Sequence, residues 1–185
     1  MIITITGKPC SGKSTIAKIL EKDYGFKRIG VGDMFKAEAK RRGVSTEEFN
    51  TMCLQNPEFD YFVDQQSAKL GKELEGQRVI FDSRLAWHFV SKSFKVYVDL
   101  NDEEMVERLI NSDREGKEKY TDKDEASRTL ASRRKLEVER YKKIYGVDIS
   151  DLSNFDFVLD SSNKTPDMLA LELINEYNKF CQKKE

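Results

Sequence analysis

The chain has 185 residues, of which 35% are charged and 38% hydrophobic, and its 32 Lys and Arg nearly cancel its 33 Asp and Glu. A chain of this length can bury about 70% of its unfolded surface in one core without disulfides or metals. The near-zero net charge argues against a generally basic surface built to hold nucleic acid. We therefore expect one soluble domain whose strong electrostatic sites are local.

The sequence contains no run of about 18 apolar residues, and its first residues lack the basic and long apolar regions of a secretory signal. We expect a cytoplasmic protein with neither a membrane nor a nucleic acid as partner. The three cysteines, Cys10, Cys53 and Cys181, are far apart and show no Cys-x-x-Cys or Cys/His spacing. This pattern predicts reduced thiols instead of disulfides or a zinc site.

Predicted strands alternate with predicted helices along the chain. The β-branched run at 2–6 predicts a buried strand, and apolar residues at helical spacing follow it until Gly25. Further strands are predicted at 27–31, 78–82, 94–100 and 155–160, and further helices at 33–42, 46–54, 60–74, 102–111, 122–145 and 166–181. This alternation is typical of a parallel sheet covered by helices on both faces, so we predict a three-layer α/β/α domain with five parallel strands.

Two segments exceed a minimal α/β unit. Helical patterns fill the long stretch 33–76 between the second and third strands, which predicts a small inserted helical subdomain. The densely charged segment 112–123 is too polar to be buried and predicts a mobile lid. The remaining residues, 1–32, 77–111 and 124–185, form the predicted core of a single domain.

The clearest motif lies between the first strand and the first helix. It reads G-x-x-x-x-G-K-[ST] and continues into the helix, so the predicted nucleotide-binding residues are Gly7, Lys8, Pro9, Cys10, Ser11, Gly12, Lys13, Ser14 and Thr15. Such a loop points successive N–H groups at phosphate oxygens, next to the positive end of the helix. Lys13 would bridge the β- and γ-phosphates of ATP, and the Ser14 hydroxyl would bind Mg²⁺. The alternative, a chance match in a turn, is disfavoured by the strand and helix on either side.

A phosphate loop alone does not distinguish kinases from GTPases and ATP-driven machines. The guanine-reading N-K-x-D pattern is absent from the sequence. Asp82 stands at the carboxyl end of a predicted strand, where it can hold Mg²⁺ through water, and Arg84 follows two residues later. The plainer interpretation of Asp82 is a helix cap or a turn residue.

Arginines gather in the second half of the chain. Arg133, Glu137 and Arg140 share one face of a predicted helix, which on spacing alone fits a solvated salt-bridge ladder as well as a binding face. Arg108, Arg114 and Arg128 lie in or beside the predicted lid. A closing lid would bring guanidinium groups to the transferred phosphoryl and exclude water, and Arg114 is the best candidate because it lies within the lid.

Several motifs resemble the nucleoside monophosphate (NMP) kinases, and most closely the archaeal-type (type 2) cytidylate kinases. Gly32-Asp33-Met34-Phe35-Lys36 is similar to their G-[DE]-x-[FY]-R stretch, residues 56–64 to their acidic helix, and residues 82–87 to their E-G-R-L-A-G-W strand end. The strongest similarity is the R-x-x-x-E-x-x-R-Y-x-x-x-Y-G-[IV]-D-I-x-D pattern over 133–151. In all, the resemblance covers about residues 2–161.

This resemblance implies a P-loop kinase that moves the γ-phosphoryl of ATP to CMP or dCMP with Mg²⁺, acting as a monomer. It implies that 33–76 is the NMP-binding insertion and that the NMP is held by Asp33, Lys36, Arg84, Arg133, Glu137 and Arg140. It also implies catalytic roles for Lys13, Asp82, Arg114 and Arg133, with Ser14 and Asp82 holding the metal. No general base is needed, because a monophosphate is already ionised near neutral pH.

Three residues depart from the family pattern. Lys36 stands where Arg is usual, Ser83 replaces the Gly after the strand acid, and the second Gly is missing, so that Trp87 follows Ala86 directly. A lysine offers a point charge in place of a planar fork for phosphate. The alternatives therefore include a kinase for UMP, AMP or a small metabolite, and a P-loop module that binds nucleotide to regulate a partner with little turnover.

Overall fold

In the computed structural model of the protein, the described part of the chain contains one sheet of five parallel strands. They are β1 (Ile2–Gly7), β2 (Lys27–Gly30), β3 (Val79–Asp82), β4 (Ser93–Asp99) and β5 (Phe157–Asp160), in the spatial order β2-β3-β1-β4-β5. The structure describes residues 1–45, 48–49, 52, 58–111 and 122–183.

Helices connect the strands. They are α1 (Lys13–Tyr24), α2 (Val31–Arg41), α3 (Glu58–Glu73), α4 (Ala86–Phe89), α5 (Asp102–Ile110), α6 (Lys123–Tyr145) and α7 (Pro166–Gln182), with a 3-10 turn at Leu152–Asn154. Across the described ranges, none of these helices is long and apolar enough to span a membrane.

The hydrophobic core lies on both faces of the sheet, which is why all six residues of β1 are buried. On one face α1 and α7 pack against the central strands, with Ile16, Leu20 and Leu173 in contact with Ile3 and Val96. On the other face a smaller cluster joins strand residues to α3 and α4, with members Ile2, Ile29, Val79, Phe81, Ala86 and Val90 and the partly buried Leu70. The predicted three-layer α/β/α arrangement is confirmed.

The strand order and register bring the carboxyl ends of several strands together. Ile5 of β1 lies opposite Asp82, and Gly30 of β2 lies opposite the same residue. The carboxyl ends of β1, β2 and β3 therefore meet at one edge. The chain leaves β1 for β2 on one side and later returns to β4 on the other, and ligands of open α/β sheets bind at such a switch point.

Element boundaries differ from the sequence prediction in ways that have physical causes. Helix α2 begins at Val31, directly after β2, so no turn residues separate them. The short helix α4 was not predicted, because four residues are too few to show helical periodicity. Of the predicted helix 46–54, residues 48, 49 and 52 are described and are helical, and of the predicted lid, residues 112–121 lie outside the described part.

Candidate active site

The phosphate loop owes its shape to two glycines. Gly7 has a φ of 144°, and a Cβ built there would lie 2.1 Å from the carbonyl oxygen of Val98. Gly12, at φ 85°, caps α1 in the left-handed conformation, and its carbonyl accepts from the N–H groups of Thr15 and Ile16. The loop can pass this close to β4 and turn directly into the helix only because neither position carries a side chain.

Cys10 adopts a left-handed conformation with φ 59°, which is unfavourable for a residue with a side chain. Its half-buried side chain packs against the apolar cluster of α5 and α6 that contains Met105 and Leu130. This contact gives the side chain a packing role at a position where another glycine would be unsurprising.

Lys13 lies at the centre of the site. Its ammonium group donates to the carbonyl oxygens of Gly7 (3.0 Å) and Lys8 (2.7 Å). Burial lowers the pKa of Lys13 to about 8, with a further lowering from the Arg84 charge and opposing contributions from Asp82 and Glu137. These charged residues therefore lie close enough to Lys13 to share one electrostatic environment.

Lys8 has a different position from Lys13. Its ammonium group donates to the carbonyl of Leu100 (2.7 Å) and to Asp102 (3.0 Å), and lies 3.1 Å from Asp99. Its backbone N–H donates to Val98. Lys8 thus fastens the loop to the end of β4, and it acts on the predicted nucleotide site by holding the loop in place.

The other predicted loop residues fall into two groups. Ser14 and Thr15 are exposed in the first turn of α1, where a ligand can reach them. Ser11 is completely buried, and its hydroxyl has no hydrogen-bond partner within the described ranges. A buried hydroxyl without a partner is costly, so this group is poised to donate to an added ligand.

Arg84 and Glu137 come together although 53 residues separate them. Arg84 follows β3, Glu137 lies midway along α6, and the guanidinium donates to the carboxylate to form an ion pair. The side chain of Arg84 is 44% exposed and that of Glu137 is 20% exposed. Glu137 therefore pairs with a residue outside its own helix, which a solvated ladder along α6 does not require.

Of the other two residues predicted on α6, the structure describes the side chain of Arg140 but not that of Arg133. Arg140 lies over the ring of Tyr141, 4.9 Å from its centroid, and donates to its hydroxyl. Only the backbone of residue 133 is described, so the predicted roles of Arg133 lie outside the described side chains. Arg114 lies outside the described residues altogether.

Among the residues that the sequence predicts for the acceptor, Asp33 is already paired. Its carboxylate accepts from the guanidinium of Arg28 at 2.8 Å, and Lys36, one turn later, is exposed. The hydrogen bond to the Asp33 carboxylate raises the pKa of Arg28, and the charge of Asp82 adds to this rise. The sequence analysis did not predict a role for Arg28. The feature that could have indicated one is its position as a basic residue on β2, a strand that ends beside the predicted acceptor site.

Arg108 joins three parts of the site. Its guanidinium donates to the carbonyl oxygens of Ser161 (2.8 Å) and Cys10 (3.4 Å), and it also pairs with Glu104. The sequence predicted only that it borders the lid. The structure places it against the phosphate loop and the connection after β5, whereas Arg128 is exposed on α6.

The described residues contain no cluster of three or more His, Cys, Asp or Glu side chains that could hold a metal ion. A magnesium ion can be held with fewer protein ligands, because it commonly takes one or two protein oxygens together with substrate phosphates and water. The predicted pair, the Ser14 hydroxyl and the Asp82 carboxylate, would be sufficient as the protein ligands of such an ion.

Comparison with known proteins identifies relatives over most of the chain. The profile of the cytidylate kinase-like family matches residues 2–163. Cytidylate kinases of Methanothrix thermoacetophila and Pyrococcus abyssi are each 34% identical, over 87% and 90% of this chain and 88% of their own lengths. The cytidylate kinase of Methanopyrus kandleri is 36% identical, over 90% of this chain and 88% of its own.

Solved structures share the fold at low sequence identity. The shikimate kinase of Aquifex aeolicus has a TM-score of 0.64 at 19% identity and covers 98% of both chains. That of Bacteroides thetaiotaomicron has a TM-score of 0.67 at 13% identity, covering 96% of this chain and 98% of its own. The fold and the resemblance predicted from the sequence are both confirmed, and the chain belongs to the cytidylate kinase-like family.

Proposed function

We propose that the protein transfers the γ-phosphoryl group of ATP to a nucleoside monophosphate, with CMP or dCMP as the favoured acceptor. The observation that carries this proposal is the meeting of Arg84 and Glu137 beside Lys13. A module that only binds a nucleotide needs the phosphate loop, but it has no need of a second charged site assembled from distant elements at the same edge of the sheet.

On the donor side, the loop N–H groups and the start of α1 would hold the ATP phosphates. The Lys13 ammonium would exchange its two carbonyl partners for phosphate oxygens and stabilise the charge that develops during transfer. The buried Ser11 hydroxyl is a further donor that a bound phosphate can satisfy. Mg²⁺, when bound, would neutralise the β- and γ-phosphates, and Ser14 and Asp82 would hold it.

On the acceptor side, Arg84 and Lys36 would bind the NMP phosphate, with Asp33 holding this part of the site through Arg28. The Glu137 carboxylate can accept from the exocyclic amine of cytosine, as acidic side chains do when they read that base. Arg133 and Arg140 on the same helix, and Arg114 in the predicted lid, are proposed to complete the positive environment of the phosphates.

Phosphoryl transfer at this site requires no general base, because the acceptor oxygen of a monophosphate is already ionised. The single histidine, His88, is consistent with this chemistry. Its ring contacts Trp87 and Phe89, and burial lowers its pKa. His88 thus belongs to the aromatic packing beyond β3.

The proposal is tested by ADP release from Mg-ATP in the presence of CMP, dCMP, UMP, AMP, GMP or shikimate. We expect the largest kcat/KM with CMP or dCMP and no release without Mg²⁺. Release that is independent of the acceptor, or absent with all of them, would overturn the kinase proposal. Fastest turnover with UMP, AMP or shikimate would keep the phosphotransferase but reassign its acceptor.

We further propose that the enzyme is a cytoplasmic monomer. The cysteines, expected to be reduced, fit a reducing compartment. Light scattering of the purified protein should give the mass of one chain at concentrations where it is active. A dimer that persists at those concentrations would contradict the monomer, and recovery of the native protein in a non-cytoplasmic cell fraction would contradict the location.

A further inference from the structure

Trp87, the only tryptophan of the chain, contacts the backbone of Arg84. It is 3% exposed, and its indole N–H donates to the backbone carbonyl of Arg84 at 3.0 Å. The hydroxyl of Thr6, at the end of β1, donates to the same carbonyl oxygen at 3.2 Å. Two side chains from different elements therefore fix the backbone of the residue that pairs with Glu137.

The segment between β3 and α4 is closed by a second set of hydrogen bonds. The buried hydroxyl of Ser83 accepts from the N–H groups of Leu85 (3.3 Å) and Ala86 (3.2 Å). Ser83 stands where the resembling sequences have glycine, and the glycine that precedes their tryptophan is missing before Trp87. In this chain the side chains of Ser83 and Trp87 both bond to the connecting backbone.

The indole ring also contacts the side of the site that carries Glu137. Trp87, Leu85 and Tyr141 form one buried cluster, and Tyr141 lies one turn after Glu137 on α6. The ring centroids of Trp87 and Phe155 are 5.0 Å apart, and the Lys95 ammonium lies 5.9 Å from the Trp87 centroid. A single side chain thus holds the Arg84 backbone and packs against the helix that presents its partner.

We propose that Trp87 is a positioning residue for the NMP acceptor. By bonding to the Arg84 carbonyl it sets the direction of the guanidinium, and by packing on α6 it sets the distance to Glu137. This inference rests on the proposed function, since it treats Arg84 and Glu137 as acceptor-binding groups. The contacts of the indole described above are to Arg84, Phe155, Lys95 and the cluster of Leu85 and Tyr141, and none of these belongs to the phosphate loop, so ATP binding should depend little on the indole N–H.

The test is the kinetics of Trp87→Phe, which keeps an aromatic ring and removes the N–H. Loss of one hydrogen bond should raise KM for CMP roughly 3- to 10-fold. KM for ATP should change less than about twofold, because the lost hydrogen bond weakens the binding of CMP and not that of ATP. Phe155→Leu is the matched control, because it removes a ring contact of Trp87 and leaves the N–H in place, so its KM for CMP should stay near that of the wild type.

Thr6→Val provides a second route if Trp87→Phe folds poorly. It removes the other donor to the Arg84 carbonyl at nearly constant volume, and it should also raise KM for CMP selectively. The two donors share one acceptor atom, so their effects should not be independent. The rise in KM for CMP in the double variant should therefore differ from the product of the two single rises. Independent, multiplicative effects would contradict a shared role.

The outcomes separate this inference from the proposed function. A wild-type enzyme with acceptor-dependent ADP release, whose Trp87→Phe variant has an unchanged KM for CMP, would overturn the positioning role alone. An equal rise in KM for CMP and ATP would also overturn it, because that pattern marks general loss of structure. A wild type with no acceptor dependence would overturn the proposed function instead.

Fluorescence gives an independent measurement on the wild type. Because Trp87 is the single tryptophan and bonds to Arg84, its emission should change on titration with CMP and saturate at the dissociation constant found by calorimetry. The same titration with a non-hydrolysable ATP analogue should give a smaller change. Binding of CMP by calorimetry with no change in emission would contradict the contact proposed here.

Discussion

The donor and acceptor halves of the site are built in different ways. The phosphate loop is a contiguous segment whose shape follows from Gly7 and Gly12 and from its attachment to β4 through Lys8. The proposed acceptor half takes Arg84 from the end of β3, Glu137 from α6 and Asp33 from α2, and its side chains are more exposed. One half is thus specified by backbone geometry and the other by packing between distant elements.

This difference explains how one fold can serve different acceptors. The shikimate kinases share the sheet and helices at 13–19% identity, although their names specify another acceptor. A site specified by local backbone geometry tolerates little change, whereas a site assembled from separate helices can change its residues one at a time. The following predictions test whether the two halves of this chain respond independently.

The largest effect is expected from Lys13→Ala. Loss of the ammonium group should lower kcat by about 10²- to 10³-fold, because it removes charge stabilisation of the transferred phosphoryl. Steady-state kinetics at saturating CMP provide the measurement, with Lys18→Ala, an exposed lysine on the same helix, as the control. If only KM for ATP rose, Lys13 would be a ground-state binding residue.

Gly7→Ala should destabilise the fold by about 2–4 kcal/mol, because the new Cβ meets the Val98 carbonyl and the backbone keeps a positive φ. Gly76→Ala is the matched control. Gly76 also has a positive φ, 85°, but a Cβ there meets nothing within 4 Å, so the cost should be only about 1–2 kcal/mol. Urea denaturation measures both, and equal costs would mean that the close approach to β4 is unimportant.

Glu137→Gln should act on the acceptor half alone. The amide can donate as well as accept, so the ratio of kcat/KM for CMP to that for UMP should fall by about tenfold, in the range of one discriminating base contact. KM for ATP should remain within about twofold. Glu139→Gln, an exposed neighbour on the same helix, is the control. An unchanged CMP to UMP ratio would remove Glu137 from the base-reading role.

A smaller effect is expected from pH on the donor half. The ligand-free pKa of Lys13 is about 8, below its ordinary value of 10.5 because of burial, so this lysine loses its charge as pH rises through 8. Since the ammonium is the phosphate-binding form, ATP should bind up to about tenfold more weakly at pH 9 than at pH 7, and ATP binding above pH 8 should be accompanied by proton uptake at Lys13.

Calorimetry in two buffers of different ionisation enthalpy measures that proton uptake, and Lys13→Met should abolish it.

The lowered pKa of Lys13 also makes the stability of the fold depend on pH. Burying the charged lysine opposes folding below pH 8, and this opposition weakens between pH 8 and 10.5, where the folded protein has lost the proton and the unfolded chain still holds it. Absence of proton uptake by the wild type at pH 8.5 would contradict the lowered pKa.

The sequence alone determined the layered fold, the phosphate loop and the position of Asp82 at a strand end. These features follow from local rules, because hydrophobic periodicity marks strands and helices, and two glycines at fixed spacing before a helix mark a phosphate loop. The family resemblance extended this prediction to a cytidylate kinase-like acceptor site, and the family itself is confirmed.

Only the tertiary structure decided how the charged side chains pair. Lys8 and Lys13 are five residues apart in one motif, yet one bonds to the end of β4 and the other stays at the centre of the site. Arg28 with Asp33, Arg84 with Glu137, and Trp87 with the Arg84 carbonyl were likewise absent from the sequence prediction. A side chain's partner depends on which elements pack together, and a one-dimensional pattern records the residues available for pairing without the distances between them.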